Sequence, residues 1–191
     1  SDGTTVQKNT PIQVNGLSNI KAISAGDYHT LALKEDGSVW AFGNNGSGQL
    51  GQGNTIKTPK LFQVAGLTDV KAIASGGGHC LALKNDGTVW VWGVHTKGQI
   101  ELSPIQVTGL TDVVSIAAGK DYSMALKSNG TVYAWGNNNY GQLGDGSTID
   151  KNTPTQVTAL TNVIKLASGS DFCLAIKIDG SLWAWTSTHG A

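Results

Sequence analysis

Over residues 19–43 the apolar positions fall into three short runs: one ending at Gly26, a second over 30–34 and a third over 39–42. Lys34-Glu35-Asp36-Gly37 separates the last two, and Gly26 separates the first two. The pattern predicts three short strands, the second and third joined as a hairpin. Asp-Gly between apolar runs suits a type I′ turn, which needs positive φ at both central residues. A strand wet on one face alternates apolar with polar, yet Val39, Trp40, Ala41 and Phe42 are apolar throughout. The sheet they form is therefore expected to be covered on both faces.

The same stretch recurs without a gap at 69–93, 112–136 and 162–186. Its turn returns as Lys84-Asn85-Asp86-Gly87, Lys127-Ser128-Asn129-Gly130 and Lys177-Ile178-Asp179-Gly180, and its break as Gly76, Gly119 and Gly169. All six tryptophans stand in two columns of the third strand: Trp40, Trp90 and Trp183 in one, Trp92, Trp135 and Trp185 in the other. Aromatic residues at repeated positions bury large areas against the neighbouring unit. A hairpin module of this period, repeated four times and covered on both faces, predicts an all-β fold, a β-propeller-type array of four four-stranded blades.

A Pro-x-Gln-Val element supplies the outer strand, where the missing N–H of proline costs little. It begins at Pro11, Pro104 and Pro154, and in a longer form at Pro59. Residues 1–14 resemble 144–157, and nothing of the kind follows the fourth copy, so residues 11–14 are expected to complete the last blade. The domain is single: blades at 19–64, 69–107, 112–157, and 162–186 plus 11–14. Blades shaped for a seven-fold ring turn about 51° each, whereas closing at four needs about 90°. A closed ring of four, an arc of a larger ring and a toroid completed by a second copy are all compatible with the pattern. Exposed blade faces at the ends of an arc would favour self-association. The connectors at 44–58 and 137–153 share Gly-Gln-Leu-Gly, while 94–103 is shorter and lacks it. That asymmetry is where a partner could gain orientation.

Net charge is zero, and charged residues make up 14% of the chain. All thirteen basic residues are lysine. No field steers such a chain toward nucleic acid or an anionic membrane, and bidentate guanidinium chemistry is absent, so neither partner is expected. Cys80 and Cys173 stand in the column of Thr30 and Ser123, two repeats apart, which points to buried free thiols.

Gly-x-x-His-Thr-Leu-Ala-Leu, Asp-Gly-x-Val-Trp-x-Phe/Trp-Gly-Asn-Asn and Gly-x-Gly-Gln-Leu-Gly together resemble the repeat of the regulator of chromosome condensation family, over essentially the whole chain. The resemblance implies a propeller, usually of seven blades, acting as a rigid platform for protein partners. The family includes a nuclear exchange factor for the small GTPase Ran and a secreted bacterial inhibitor of β-lactamases. The latter tilts the expected setting toward a secreted or cell-surface one. Neither the exchange factor's inserted wedge nor the full count of seven repeats is present. The implied role is a non-catalytic binding module, with regulation of a partner enzyme or structural self-assembly as alternatives.

The loops following the four glycines are expected on one rim, bringing Asp27, Tyr28, His29, His79, Asp121, Tyr122, Asp171 and Phe172 to a partner. The other reading of the column His29, His79, Tyr122, Phe172 is packing over the second strand. Gly46-Ser47-Gly48-Gln49-Leu50-Gly51 fits the dinucleotide fingerprint in letters only, because no helix pattern follows. Neither a cofactor, a metal nor an acid–base or nucleophile constellation is expected. Asn45-Gly46-Ser47 fits a glycosylation sequon.

Overall fold

The computed structural model describes residues 9–96 and 98–186. Among them are fifteen strands in four antiparallel sheets, each ordered as the chain runs. The first sheet holds β1 (Ile20–Ala25), β2 (His29–Lys34), β3 (Val39–Gly43) and β4 (Thr58–Gln63). The second holds β5 (Val70–Ser75), β6 (His79–Lys84), β7 (Val89–Thr96) and β8 (Gln99–Gln106). The third holds β9 (Val113–Ala118), β10 (Tyr122–Lys127), β11 (Val132–Gly136) and β12 (Lys151–Gln156). The fourth has three strands, β13 (Val163–Ser168), β14 (Phe172–Lys177) and β15 (Leu182–Thr186).

The hairpins share one register, Ala32 opposite Trp40 in the first sheet and Ala82 opposite Trp90 in the second. Their turns differ from the type I′ expected. Gly37 alone has positive φ (80°), and its N–H donates to the Lys34 carbonyl at 3.0 Å. This is a type I turn closed by a left-handed glycine, a common three-residue hairpin loop. Asp36 stabilises it from inside, its carboxylate accepting from Ser38 N at 2.9 Å and Ser38 Oγ at 2.6 Å. Asn19, Asp69, Asp112 and Asn162 enter the inner strands at φ of 55–58°. Asn and Asp tolerate that conformation better than other side-chain-bearing residues.

Consecutive sheets pack face to face. Leu31, Leu33, Val39 and Ala41 of the first meet Cys80, Ala82 and Trp92 of the second. Leu81, Leu83, Val89 and Val91 meet Ala125 and Trp135, and Met124, Leu126, Val132 and Ala134 meet Cys173 and Ala175. The second tryptophan column therefore does pack between sheets. The first also makes contacts within its own sheet: Trp40, Trp90 and Trp183 donate to Ser38, Thr88 and Ser181 at the hairpin, with Lys34, Lys84 and Lys177 over their rings, and Trp90 packs besides against the core between the first two sheets.

Among the described residues the four sheets form an open arc, each packed on the next. Leu182, in the column of the fully buried Val39, Val89 and Val132, is 66% exposed, with no sheet among the described residues packed on it. At the other end Ile23 is 76% exposed. The expected splice is not made: residues 11–14 form no strand. The outer strand of the last sheet could come from this chain's N-terminal segment only if the two end sheets were neighbours. Trp183, which lacks the outer strand that covers Trp40 and Trp90, is left 43% exposed.

Candidate functional site

The glycines after β1, β5, β9 and β13 bring four equivalent loops around a cavity of about 280 Å³ on the axis of the arc. Their backbones are tied together: Gly77 N donates to the Lys120 carbonyl at 2.7 Å, and Lys120 N to that of Ser170 at 2.9 Å. Gly26 is required because a Cβ there would collide with the His29 ring and the Gly76 carbonyl. The same three-way crowding repeats at Gly76 with His79 and the Gly119 carbonyl. The column of glycines is thus a column of close approaches, sheet against sheet.

The rim brings Asp27 and Asp171 each within electrostatic reach of Asp121. Burial pushes the Asp121 carboxyl up from its usual range; the Lys120 ammonium offsets this, and Asp171 and Asp27 push it further up. Tyr28 stands 75% exposed beside Asp27.

His29, His79 and Tyr122 do not reach the surface, and their place in a partner-facing set is corrected here. Each is buried and reaches the second strand of the next sheet. His29 Nε2 lies 3.0 Å from Cys80 Sγ, and His79 Nε2 lies 3.0 Å from Ser123 Oγ. Tyr122 Oη lies 3.1 Å from Cys173 Sγ and donates to the Phe172 carbonyl at 2.8 Å. These are clasps between sheets. Phe172 is the last of the column, and with no further sheet among the described residues to clasp it is 50% exposed. The column is thus set by packing, and its exposed member belongs to the end of the arc.

Desolvation dominates the protonation of the clasps. His29 is brought down to about 4, with Asp27 opposing, and His79 to about 3, so both rings are neutral near neutrality. The Cys173 thiol is pushed up to about 12 by burial, and Cys80 is also raised. Both cysteines are free, buried and unreactive in this state.

Beneath the outer edge lies a second set of residues. Gln49 offers its carbonyl to Trp92 Nε1 at 2.9 Å and Cys80 Sγ at 3.3 Å. Gln142 does the same for Trp185 at 2.9 Å and Cys173 at 3.3 Å. Leu50 and Leu143 are fully buried in the adjoining cores. Asn45 holds its loop, donating to the carbonyls of Asn54 and Ile56 and accepting from Leu50 N at 3.0 Å. Asn138 repeats this with Ser147, Ile149 and Leu143. Gly-Gln-Leu-Gly is therefore a packing plug, and the buried Asn45 offers no glycosylation acceptor. The recurring Asn before each plug was the signal that could have revealed this brace.

The family model described as RCC1-like domain matches residues 1–191. Saccharomyces cerevisiae Prp20p, whose structure was reported with its binding properties to Gsp1p and histones, superposes with a TM-score of 0.76 at 28% identity, over 87% of this chain and 44% of Prp20p. Yeast RCC1 (Prp20) bound to Kap60 gives 0.80 at 28% identity, over 94% and 46%. The Homo sapiens protein RCC2 is 52% identical over 54 residues, 27% of this chain and 10% of RCC2. The chain thus spans less than half of these solved neighbours and a tenth of that curated relative. With the repeats, sheets and clasps above, the match over its whole length places the chain in the RCC1-like domain family of β-propeller proteins.

Proposed function

We propose that the chain is a non-catalytic protein-interaction module that engages its partner through the loop rim. The exposed Tyr28 beside Asp27, with Asp121 and Asp171 across the same rim, carries this reading. Tyrosine is a favoured interface anchor, since it offers a large rigid area and a polar tip at low entropic cost. The binding of Prp20p to Gsp1p and histones supports a protein as the ligand class. The acids favour a partner surface carrying lysine or arginine. Capture from a native extract, read by mass spectrometry, tests this with Tyr28→Ala and with the pair Asp121→Asn and Asp171→Asn. The rim reading expects capture to be lost in both with folding intact; undiminished capture would remove this face from consideration.

A second reading rests on a different observation. Leu182 and Phe172 at one end of the arc, and Ile23 at the other, occupy positions that are covered at the internal junctions. The two end faces are thus the two halves of the contact that recurs inside the chain. A second copy of the chain docked head to tail would cover them. It would also place its own residues 11–14, which lead into its β1 as Gln63 and Val64 lead toward β5, beside the free edge of β15. We infer self-association by this route, with the N-terminal strand exchanged between copies.

A further inference from the structure

The three junctions between sheets are not finished alike. At the first and the third, the connector folds back as the Gly-Gln-Leu-Gly plug. At the second, the ends of β7 and β8 instead prolong the hairpin, with Val94 opposite Ile100 and Thr96 opposite Gln99. Where a plug would sit there is a cavity of about 240 Å³. Three wall positions establish the equivalence. In the first junction the plug lies on Val64 and Trp92, which a Cβ at Gly51 would touch at 2.9 and 3.3 Å, and Gly53 N donates to the Leu102 carbonyl at 2.8 Å. The corresponding residues of the second junction are Val107, Trp135 and Asn152, and all three line the cavity.

The walls also keep the polar groups that a plug would satisfy. Trp92 and Trp185 each donate to a glutamine carbonyl, whereas no described residue accepts from Trp135 Nε1. His95 lines the same space, is more than nine-tenths buried, and has neither ring nitrogen hydrogen-bonded. Buried polar groups rarely go unpartnered in a native fold. At ~30 Å³ per water the space could hold several, but Val91, Ile105 and Val107 on its wall offer water no polar partner.

We propose that this notch is a peptide-binding site that takes a Gly-Gln-Leu-Gly type turn from another polypeptide. The leucine seats against the exposed Ile105, at the edge of Val107, in the place that Leu50 and Leu143 take in their own junctions. The carbonyl before it accepts the Trp135 indole N–H. His95, with one N–H and one lone pair in its neutral form, meets polar groups of the incoming turn. This site is separate from the loop rim, so it stands or falls independently of the rim reading.

The probe is a cyclised peptide with the sequence of residues 44–53, titrated into the isotope-labelled chain while the indole N–H signals are followed. Cyclisation lowers the ordering cost that a linear peptide would pay. The expected result is a saturable downfield shift of the Trp135 signal, with Trp92 and Trp185 unmoved. Replacing the peptide leucine by alanine should weaken binding about tenfold or more, from the lost burial of its side chain. A chimera carrying residues 44–58 in place of 94–103 fills the notch from within and should not titrate; Val107→Trp, which fills it from the wall, serves the same purpose if the chimera does not fold. The proposal is overturned by absence of saturation at Trp135, by equal binding of the alanine peptide, or by a filled notch that titrates like the unaltered chain.

Discussion

At the scale of single residues, the junctions are held by clasps that work only uncharged. His29 and His79 titrate near 4 and 3 in the fold, against an ordinary value near 6.5. Between those values the unfolded chain binds protons that the folded chain does not, so stability rises with pH there. It should be complete above about pH 6.5 and decline as the pH falls toward about 4 for His29 and about 3 for His79. Urea midpoints measured across that range test this: a steady loss is expected, smaller in His79→Gln, and a flat profile would contradict neutral buried clasps. The plug leucines give a second test. Leu50→Ala or Leu143→Ala removes a fully buried side chain from a packed junction and should cost ~2–5 kcal/mol in urea unfolding. The sequence showed His29, His79, Tyr122 and Phe172 as one column. It did not show which way the column faced, because that depends on the stagger between neighbouring sheets and not on anything local to the loop.

Among the elements, the hairpins were readable because apolar runs and Asp-Gly turns are set by local chemistry. The turn type was not, since Asp36 accepts from Ser38 instead of adopting positive φ itself. The turn glycines also differ with position in the array. A Cβ at Gly37 would lie 3.2–3.3 Å from the backbone of Asp69 and Val70 in the next sheet, whereas one at Gly180 would meet nothing within 4 Å. Both have φ near 80°. Gly180→Ala should therefore cost only the left-handed backbone, ~1–2 kcal/mol, and Gly37→Ala measurably more. Equal losses in thermal or urea unfolding would mean that the hairpin tips do not brace the following sheet. The outer strands carry their prolines inside rather than at the head, as Pro104 in β8 and Pro154 in β12 show. An edge with no further partner tolerates this.

For the whole molecule, the repeat made the architecture clear while leaving its closure open. Closure depends on the angle between sheets, which accumulates from many small packing choices such as Ala41 against Trp92, and no single motif encodes it. The result is an arc whose first and last faces carry the two sides of one contact, and a last sheet short of a strand. Deleting residues 1–14 should weaken association between copies without unfolding the three four-stranded sheets. Leu182→Asp should abolish it, by placing a charge on the face that must be buried. Sedimentation equilibrium of the unaltered chain reads the matter most directly. The account predicts a concentration-dependent species of twice the 19.8 kDa chain mass, lost in Leu182→Asp. A folded chain that stays at 19.8 kDa at every concentration would contradict it.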